Sequence, residues 1–248
     1  MGRHSRVRWL AGDAVTYDLR LGRWQDVLAD VECDVLMADP PYGARTHDGQ
    51  RVEGTRDGSD RRALSYAHWT PDDVQAFVAH WAPRTRGWMA CMTDSDLMPA
   101  WRAAYADAGR YDFAPVPIVQ DRVRMVGDGP ASSGVYLMVS RPRTREFSRW
   151  GALPGWYKAG TDREGHIGGK PVDLMRALIR DYSRPGDLVC DPCAGGGTTL
   201  LAAVQTGRRA VGSEMDPQTH AKSLQRLANA KVTVDWLDAP QATQGGLL

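Results

Sequence analysis

Long apolar runs are missing from this sequence of 248 residues. No run approaches the roughly 18 residues that a membrane-spanning helix needs, and residues 1–6 lack an apolar signal core. Cysteine is scarce too, since the chain has only four at uneven spacing. This scarcity argues against a disulfide framework and favours a reducing compartment. We therefore expect a cytoplasmic protein with no membrane contact.

Lysine is almost absent, because 27 of the 31 basic residues are arginine. Arginine suits phosphate recognition through its planar, forked guanidinium, although a GC-rich genome would produce the same bias. The formal net charge is only +1, which argues against a protein that coats nucleic acid indiscriminately. Any binding of nucleic acid must be local.

Short apolar runs alternate with helical patterns along the chain, which is typical of an α/β fold with a largely parallel sheet. Thr70 and Pro71 mark the start of one helix, and Pro171 precedes another that ends before Gly186. We expect a single domain over residues 1–248. The predicted strands are Val35 to Ala38, Trp88 to Met92, Val135 to Val139, Leu188 to Cys190, and Ala210 to Gly212.

Two stretches break this rhythm. Residues 43–68 are rich in glycine and charge, which predicts a mobile loop. Residues 141–169 interleave arginines with aromatic residues, a pattern that favours an irregular, short target-recognition surface for nucleic acid. A solvated surface is the alternative for this second stretch. The candidate nucleic-acid residues are Arg45, Arg51, Arg56, Arg141, Arg143, Arg145, Arg149 and Trp150.

A glycine-rich turn follows the strand that ends near Cys190, and a helix follows the turn. Such a turn lets the backbone approach a ligand closely. The next predicted strand, Arg209 to Ser213, delivers Glu214, which lies 19 residues after Gly195. An acid in that place can accept both hydroxyls of a ribose. The turn therefore predicts an adenosine site.

The kind of adenosine compound follows by elimination. A phosphate-binding P-loop needs lysine after its last glycine, but Thr198 stands there. A dinucleotide fingerprint needs a small residue where Leu200 stands, and Asp191 would repel a pyrophosphate. S-adenosylmethionine has no phosphate and carries two positive groups, so carboxylates favour it on Coulomb grounds. We expect S-adenosylmethionine as the cofactor.

The tetrapeptide Asp39-Pro40-Pro41-Tyr42 follows the second strand. Its two prolines fix two φ angles and keep the segment extended. The amino group of adenine or cytosine is a poor nucleophile, because its lone pair is delocalised into the ring. The Asp39 carboxylate and the Pro40 carbonyl can each accept one N–H and so localise that pair, while Tyr42 stacks on the base. These residues, with Pro41, are the candidate catalytic residues.

Together, the two motifs resemble the DNA methyltransferases that methylate adenine N6 or cytosine N4. Their order is the permuted one, in which the catalytic motif precedes the cofactor motif. By this resemblance, Asp13 lines the adenosine side of the cofactor, and His166, Lys170 and Pro171 lie beside its methionine end. The resemblance also assigns cofactor contacts to Asp191, Pro192, Ala194, Gly195, Gly197, Thr198, Thr199, Glu214 and Met215.

The resemblance implies a Rossmann-like methyltransferase fold with a seven-stranded, mostly parallel sheet, one reversed strand, and helices on both faces. It also implies double-stranded DNA as the partner and a base flipped out of the duplex. Aspartate at the first position of the tetrapeptide favours adenine N6 over cytosine N4. The recognition insert is short, so we expect a short or degenerate target sequence, unless a second copy of the chain supplies specificity.

Two other classes of function stay open at this point. Related tetrapeptides serve methyltransferases that act on RNA or on a protein amide. A catalytically silent nucleic-acid-binding subunit is the second alternative, although the intact Asp39, Tyr42, Gly195, Gly197 and Glu214 argue against it. Cys190 and Cys193 form a single C-x-x-C motif without a second one, which is weak evidence for a zinc site.

Overall fold

One twisted sheet carries all the strands that the structure describes. The structure is a computed structural model, and it describes residues 17–46, 67–120, 134–147, 150–160 and 169–230. Within these ranges, every helix is too short or too polar to span a bilayer.

Nine strands form this sheet in the order β1-β9-β8-β2-β3-β6-β5-β7, with β4 pairing beside β5 on β6. Among the described strands β6 alone runs opposite to the others, as expected for one reversed strand. The strands are β1 Tyr17–Leu21, β2 Val35–Ala38, β3 Met89–Thr93, β4 Tyr111–Asp112, β5 Val116–Gln120, β6 Gly134–Arg141, β7 Tyr157–Ala159, β8 Leu188–Asp191 and β9 Arg209–Glu214.

The α/β fold class is confirmed, but the count of seven strands is too low. Two features account for the difference. First, β4 and β5 follow one another along β6 as a single interrupted line, in which Pro115 lies in the break. Second, β7 lies inside the stretch 141–169 that was predicted to be irregular. Only Tyr157 and Ala159 face inward there, so the alternation is too short to stand out in the sequence.

Helices cover both faces of the sheet. On one face α2 and α3 pack over Leu36, Met89 and Cys91, and on the other α4 and α5 pack over Val35 and Met37. Because successive strand residues point to opposite faces, neighbours in β2 serve different cores. The helices are α1 Trp24–Val27, α2 Pro71–Trp81, α3 Met98–Asp107, α4 Val172–Tyr182, α5 Thr198–Gln205 and α6 Pro217–Ala228, with a 3-10 turn at Ala82–Arg84.

Both helix starts expected from the sequence are confirmed. Thr70 caps α2 by accepting a hydrogen bond from the Asp73 N–H, and the Asp73 carboxylate binds back to the Thr70 N–H. This capping box satisfies two backbone donors that the helix leaves open. Pro171 precedes α4, which ends at Tyr182, four residues before Gly186.

Four neighbouring strands end in carboxylates along one edge of the sheet. We call this edge, where the parallel strands finish, the carboxyl edge, and the opposite one the amino edge. In spatial order, Glu214 ends β9, Asp191 ends β8, Asp39 follows β2, and Asp94 follows β3. The strand order reverses between β8 and β2, although the two strands are parallel. From β2 the chain continues to β3 on one side, and from β8 it continues to β9 on the other side. Open α/β sheets bind their ligands at the carboxyl edge beside such a reversal.

Candidate active site

The tetrapeptide Asp39–Tyr42 leaves the carboxyl edge directly after β2. The proline at position 40 is buried, and the two prolines limit how the backbone can bend. The chain nevertheless curls enough for the Tyr42 hydroxyl to donate a hydrogen bond of 2.7 Å to Asp39 Oδ1. The phenol and the carboxylate thus form one unit.

Lys170, just before α4, completes this unit from the other side. Its ammonium donates to Asp39 Oδ2 and, over 2.9 Å, to the Tyr42 hydroxyl. The same Nζ lies 5.2 Å from the centre of the Tyr42 ring, within range of a cation–π contact. Side-chain exposure is 26% for Asp39 and 17% for Lys170, so the network is partly shielded from water yet reachable from outside.

The glycine turn, residues 192–197, connects β8 to α5. Gly195 and Gly197 have φ of 48° and 73°, the left-handed conformation that glycine adopts without strain. The turn is fastened to β9, because Ala194 N–H donates to the Ser213 carbonyl at 3.0 Å and the Ser213 hydroxyl donates to the Pro192 carbonyl at 2.9 Å. Two hydrogen bonds therefore fix the predicted turn to β9.

α6 holds the glycine turn from outside, a contact that the motifs did not predict. The Ser223 hydroxyl donates to the Gly195 carbonyl at 2.8 Å. Arg226 Nη1 donates to the Gly196 carbonyl at 3.1 Å and to the Thr198 hydroxyl at 2.9 Å. A Cβ on Gly197 would lie 3.2 Å from Ser223 Cβ, so the helix and the turn are in close contact. Ser223 and Arg226 are three residues apart and therefore lie on one face of α6, but this spacing alone does not identify their partner.

Asp191 is buried at the end of β8, with 1% of its surface exposed. Burial, followed by the charges of Asp39 and Glu214, raises its pKa to about 7, although Thr199 and the Cys193 N–H hydrogen bond to it. The Cys193 N–H donates to Oδ1 at 2.9 Å. The three carboxyl groups of Asp191, Asp39 and Glu214 therefore lie close enough around the glycine turn to influence one another.

Glu214 stands at the end of β9, as the sequence predicted. Its Oε1 atom accepts a hydrogen bond of 2.7 Å from the Asp216 N–H, and Asp216 in turn caps α6. The carboxylate is thereby held at the carboxyl edge, beside the glycine turn. Met215 follows it with 58% of its surface exposed, an apolar side chain open to a flat ligand.

These features fit S-adenosylmethionine. A Cβ on Gly195 would meet only the Cys193 carbonyl, at 4.0 Å, so the turn leaves open space where a ligand can approach the backbone. Burial and then the charges of Asp39 and Glu214 raise the pKa of Asp191, and a cationic ligand, unlike a phosphate, would favour the charged form of this carboxyl group. Glu214 can accept ribose hydroxyls. Both the carboxyl groups of the site and the open space at Gly195 suit the predicted cofactor.

The described residues predicted to bind nucleic acid fall at opposite edges of the sheet. Arg45 lies at the carboxyl edge, where it is exposed and 3.1 Å from Asp96. Because β6 is reversed, Arg141 lies at the amino edge, with its guanidinium 4.7 Å from the centre of the Tyr111 ring. Arg143 is close by and donates to the Arg110 carbonyl at 3.2 Å, and Arg145 is exposed.

Trp150 packs inside an aromatic cluster near the amino edge. Phe147 stacks on its ring at 5.6 Å, the Arg184 guanidinium lies 3.8 Å from the ring centre, and its indole N–H donates to the Asp181 carbonyl at 2.8 Å. These contacts serve the hydrophobic core. The predicted site residues Asp13, Arg51, Arg56, Arg149 and His166 lie outside the described residues, as does most of the loop 43–68.

Asp94 is a further residue at the carboxyl edge that sequence reasoning missed. It follows β3 and accepts a hydrogen bond of 2.9 Å from the N–H of Gly43, the residue after the tetrapeptide. No motif contains it. The available signal was an acidic residue directly after a buried strand, next to another such strand.

Known proteins share both the sequence and the fold. Residues 127–225 match the N6_N4_Mtase family, described as DNA methylase. The Escherichia coli (strain K12) protein named "Putative methylase YubD" is 42% identical over 198 residues, which cover 79% of this chain and 82% of that protein. The share of both chains that aligns is large enough to establish a common family.

Solved structures share the fold of this chain. The structure titled "crystal structure of M1.HpyAVI-SAM complex" aligns with a TM-score of 0.63 and 17% identity, covering 86% of this chain and 99% of that one. The PvuII DNA methyltransferase, described as cytosine-N4-specific, aligns with a TM-score of 0.60 and 13% identity, covering 88% of each. The M1.HpyAVI structure is described as a complex with SAM, the cofactor that the sequence predicts for this chain. By sequence identity over most of its length, the chain belongs to the N6/N4 family of DNA methylases.

Proposed function

We propose that the protein transfers the methyl group of S-adenosylmethionine to the exocyclic N6 of adenine in DNA. The network of Asp39, Tyr42 and Lys170 supports this proposal, because it holds at the end of β2 a carboxylate that could accept a hydrogen bond from an amino group. The glycine turn that suits the cofactor follows β8, the adjacent strand. Donor and acceptor of the methyl group would thus meet at the chain reversal.

Asp39 would activate the amino group of the base. Tyr42 and Lys170 each occupy one of its two oxygens, but a carboxylate oxygen accepts more than one hydrogen bond. Asp39 can therefore also accept one N–H of the base, and the Pro40 carbonyl can accept the other. Two acceptors in fixed positions would localise the nitrogen lone pair, so that it can attack the methyl group. The N–C bond would form as the S–C bond breaks and leaves a neutral thioether, and the nitrogen would then lose one proton.

When bound, S-adenosylmethionine supplies a methyl group made electrophilic by its sulfonium. Glu214 would hold the ribose, and Met215 would cover one face of the adenine. Asp191 would offset positive charge on the methionine part. Lys170 would position Asp39 and Tyr42 rather than the cofactor, which differs from the role that the family resemblance suggests for it.

The base must leave the duplex to reach this site. The N6 of adenine takes part in base pairing, and enzymes that modify such atoms flip the nucleotide into a pocket. Tyr42, with its ring partly exposed and its hydroxyl fixed, would stack on the flipped base. The neighbouring Arg45 is suitably placed for a phosphate near the flipped nucleotide.

Cytosine N4 is the second candidate target. It presents the same kind of amino group, and the PvuII methyltransferase that shares this fold is described as cytosine-N4-specific. Aspartate at position 39 supports adenine by resemblance. Mass spectrometry of nucleosides from treated DNA, with RNA and protein substrates in parallel, decides between the targets. We expect N6-methyladenine, and N4-methylcytosine alone would assign the second candidate.

The proposal extends to specificity and setting. Most arginines near the site would contact phosphates, which position DNA without reading it, so we expect a short or degenerate recognition sequence. The partner is double-stranded DNA, and a homodimer would supply any further contacts. All described strands form one sheet, which supports a single methyltransferase domain. The four free cysteines are compatible with work in the cytoplasm.

A further inference from the structure

Asp94 is a buried carboxylate that fastens the chain after the tetrapeptide. It is 4% exposed and follows β3, the neighbour of β2. Its Oδ2 atom accepts hydrogen bonds from the Gly43 N–H at 2.9 Å and the Thr46 hydroxyl at 2.6 Å. Its Oδ1 atom accepts one from the Leu97 N–H, at the start of α3, at 3.2 Å. Three donors on a buried carboxylate leave it little freedom.

The peptide unit between Tyr42 and Gly43 is therefore held on both sides. Its N–H donates to Asp94, and its carbonyl, that of Tyr42, accepts a hydrogen bond of 3.0 Å from the Trp69 N–H. Upstream, the two prolines limit the backbone. Hydrogen bonds from Asp94 and Trp69 therefore hold the backbone directly after the tetrapeptide.

Gly43 permits this close approach. A Cβ at position 43 would lie 3.2 Å from Asp94 Oδ2 and 3.6 Å from Leu97 Cγ. Even the smallest side chain would therefore press on the carboxylate and move one of the two partners. Glycine after the tetrapeptide serves this contact as well as the loop that it begins.

We propose that Asp94 is a positioning residue for methyl transfer, which fixes the Tyr42–Gly43 peptide and thereby the Tyr42 hydroxyl against Asp39. The inference rests on the proposed function, since it gives Asp94 a role only if Asp39 and Tyr42 meet the base. Asp94 acts through Tyr42 and touches no reacting atom. A misplacement of about 1 Å in such a site costs up to about 100-fold in rate.

Two kinds of variant test this role. Asp94→Asn leaves one acceptor oxygen where the carboxylate has two, and we expect kcat to fall by about 10- to 100-fold. Thr46→Val keeps the shape of the side chain but removes the hydroxyl donor, so kcat should fall less, whereas Thr46→Ser should retain the original rate. Asp107→Asn, at an exposed carboxylate at the other end of α3, is the control.

Calorimetry and thermal unfolding separate positioning from folding. The affinity for S-adenosylmethionine should stay unchanged in every variant, and kcat is scaled to the folded fraction. A folded Asp94→Asn protein with normal kcat, or a rate lost only in proportion to unfolded protein, would overturn the inference. If that variant fails to fold, equal kcat for Thr46→Val and Thr46→Ser overturns it. An active Asp39→Ala protein would instead overturn the proposed function.

Discussion

Lys170 donates a hydrogen bond of 2.9 Å to the Tyr42 hydroxyl, although 128 positions separate the two residues in the chain. The bond joins the segment before α4 to the segment after β2, and Asp39 completes the triangle. Two motifs that are far apart in the sequence thus form one chemical unit. This unit fixes the carboxylate and the phenol relative to each other.

Lys170→Met tests whether this lysine positions the catalytic pair or binds the cofactor. Without the ammonium, Asp39 and Tyr42 lose a shared donor, and we expect kcat to fall by about 10- to 100-fold. Calorimetry should find the affinity for S-adenosylmethionine within about twofold of that of the original protein. This limit corresponds to about 0.4 kcal/mol in binding free energy. Lys158→Met, at an exposed lysine on β7, is the matched control. A normal kcat with weakened cofactor binding would instead show that Lys170 binds the cofactor, as the family resemblance implies.

Glu214→Ala should weaken cofactor binding. The carboxylate would make charge-assisted hydrogen bonds to the ribose, and their loss costs about 1.5–3 kcal/mol. Because Glu214 also accepts the Asp216 N–H, Glu214→Gln is the better-matched companion, since it keeps one acceptor oxygen. Calorimetry on the three proteins measures the effect. Equal affinity in all three proteins would exclude Glu214 from the ribose site.

Asp191 makes the stability of the ligand-free protein depend on pH. Its folded-state pKa of about 7 lies above the ordinary 3.8, so the folded protein binds this proton more tightly than the unfolded chain does. The contribution of this proton to the free energy of unfolding is complete below about pH 4 and is lost as the pH rises through about 7. This difference in pKa corresponds to about 4 kcal/mol.

Asp191→Asn provides the measurement, because the amide oxygen can still accept the Cys193 N–H. Denaturant unfolding at several pH values should show the free energy of unfolding of the original protein falling, relative to the variant, between about pH 4 and pH 7. Parallel curves for the two proteins would mean that this carboxyl ionises normally.

Gly197→Ala should destabilise the protein more than Gly207→Ala does. Both glycines have positive φ, at 73° and 76°, so each substitution carries strain of about 1–2 kcal/mol. Only the methyl at position 197 would also press on Ser223, 3.2 Å away, because position 207 has nothing within 4 Å. Thermal unfolding compares the two variants. Equal losses of stability would show that α6 does not hold the glycine turn tightly.

Alanine variants of Arg45 and Arg143 test which edge of the sheet contacts DNA. Arg45 lies at the carboxyl edge with the tetrapeptide, whereas Arg143 lies at the amino edge. We expect Arg45→Ala to weaken DNA binding and to reduce the slope of log affinity against log salt by about 1, the effect of one lost phosphate contact. Arg143→Ala should change neither quantity. The reverse result would place the DNA at the amino edge, on the surface that contains Arg141, Arg143 and Arg145.

Much of the fold was predictable because its strands are short, continuous apolar runs. β2 matches its predicted bounds, and β8 and β9 each extend at least one residue further. The capping signals at Thr70 located α2. α3 was missed, because Leu97 at its start offers no side-chain cap. β7 was missed because only three residues form it.

The candidate site was predictable in its types of residue but not in its partners. Asp39 and Glu214 stand where motif spacing places them, at the ends of β2 and β9, two strands that β8 separates. The bond between Lys170 and Tyr42 depends on how two distant segments pack, which no spacing encodes. The role of Asp94 depends on the closeness of β2 and β3, so the sequence alone presents it as one acid among thirty.

The most direct test of the central claim compares the original protein with Asp39→Ala in one transfer assay. Both proteins receive labelled S-adenosylmethionine and double-stranded DNA, and calorimetry measures cofactor binding in parallel. We expect the original protein to label an exocyclic amino group of the DNA. We expect Asp39→Ala to bind the cofactor with unchanged affinity but to transfer no methyl group. Full transfer by Asp39→Ala, or no labelled DNA base from the original protein, would contradict the account.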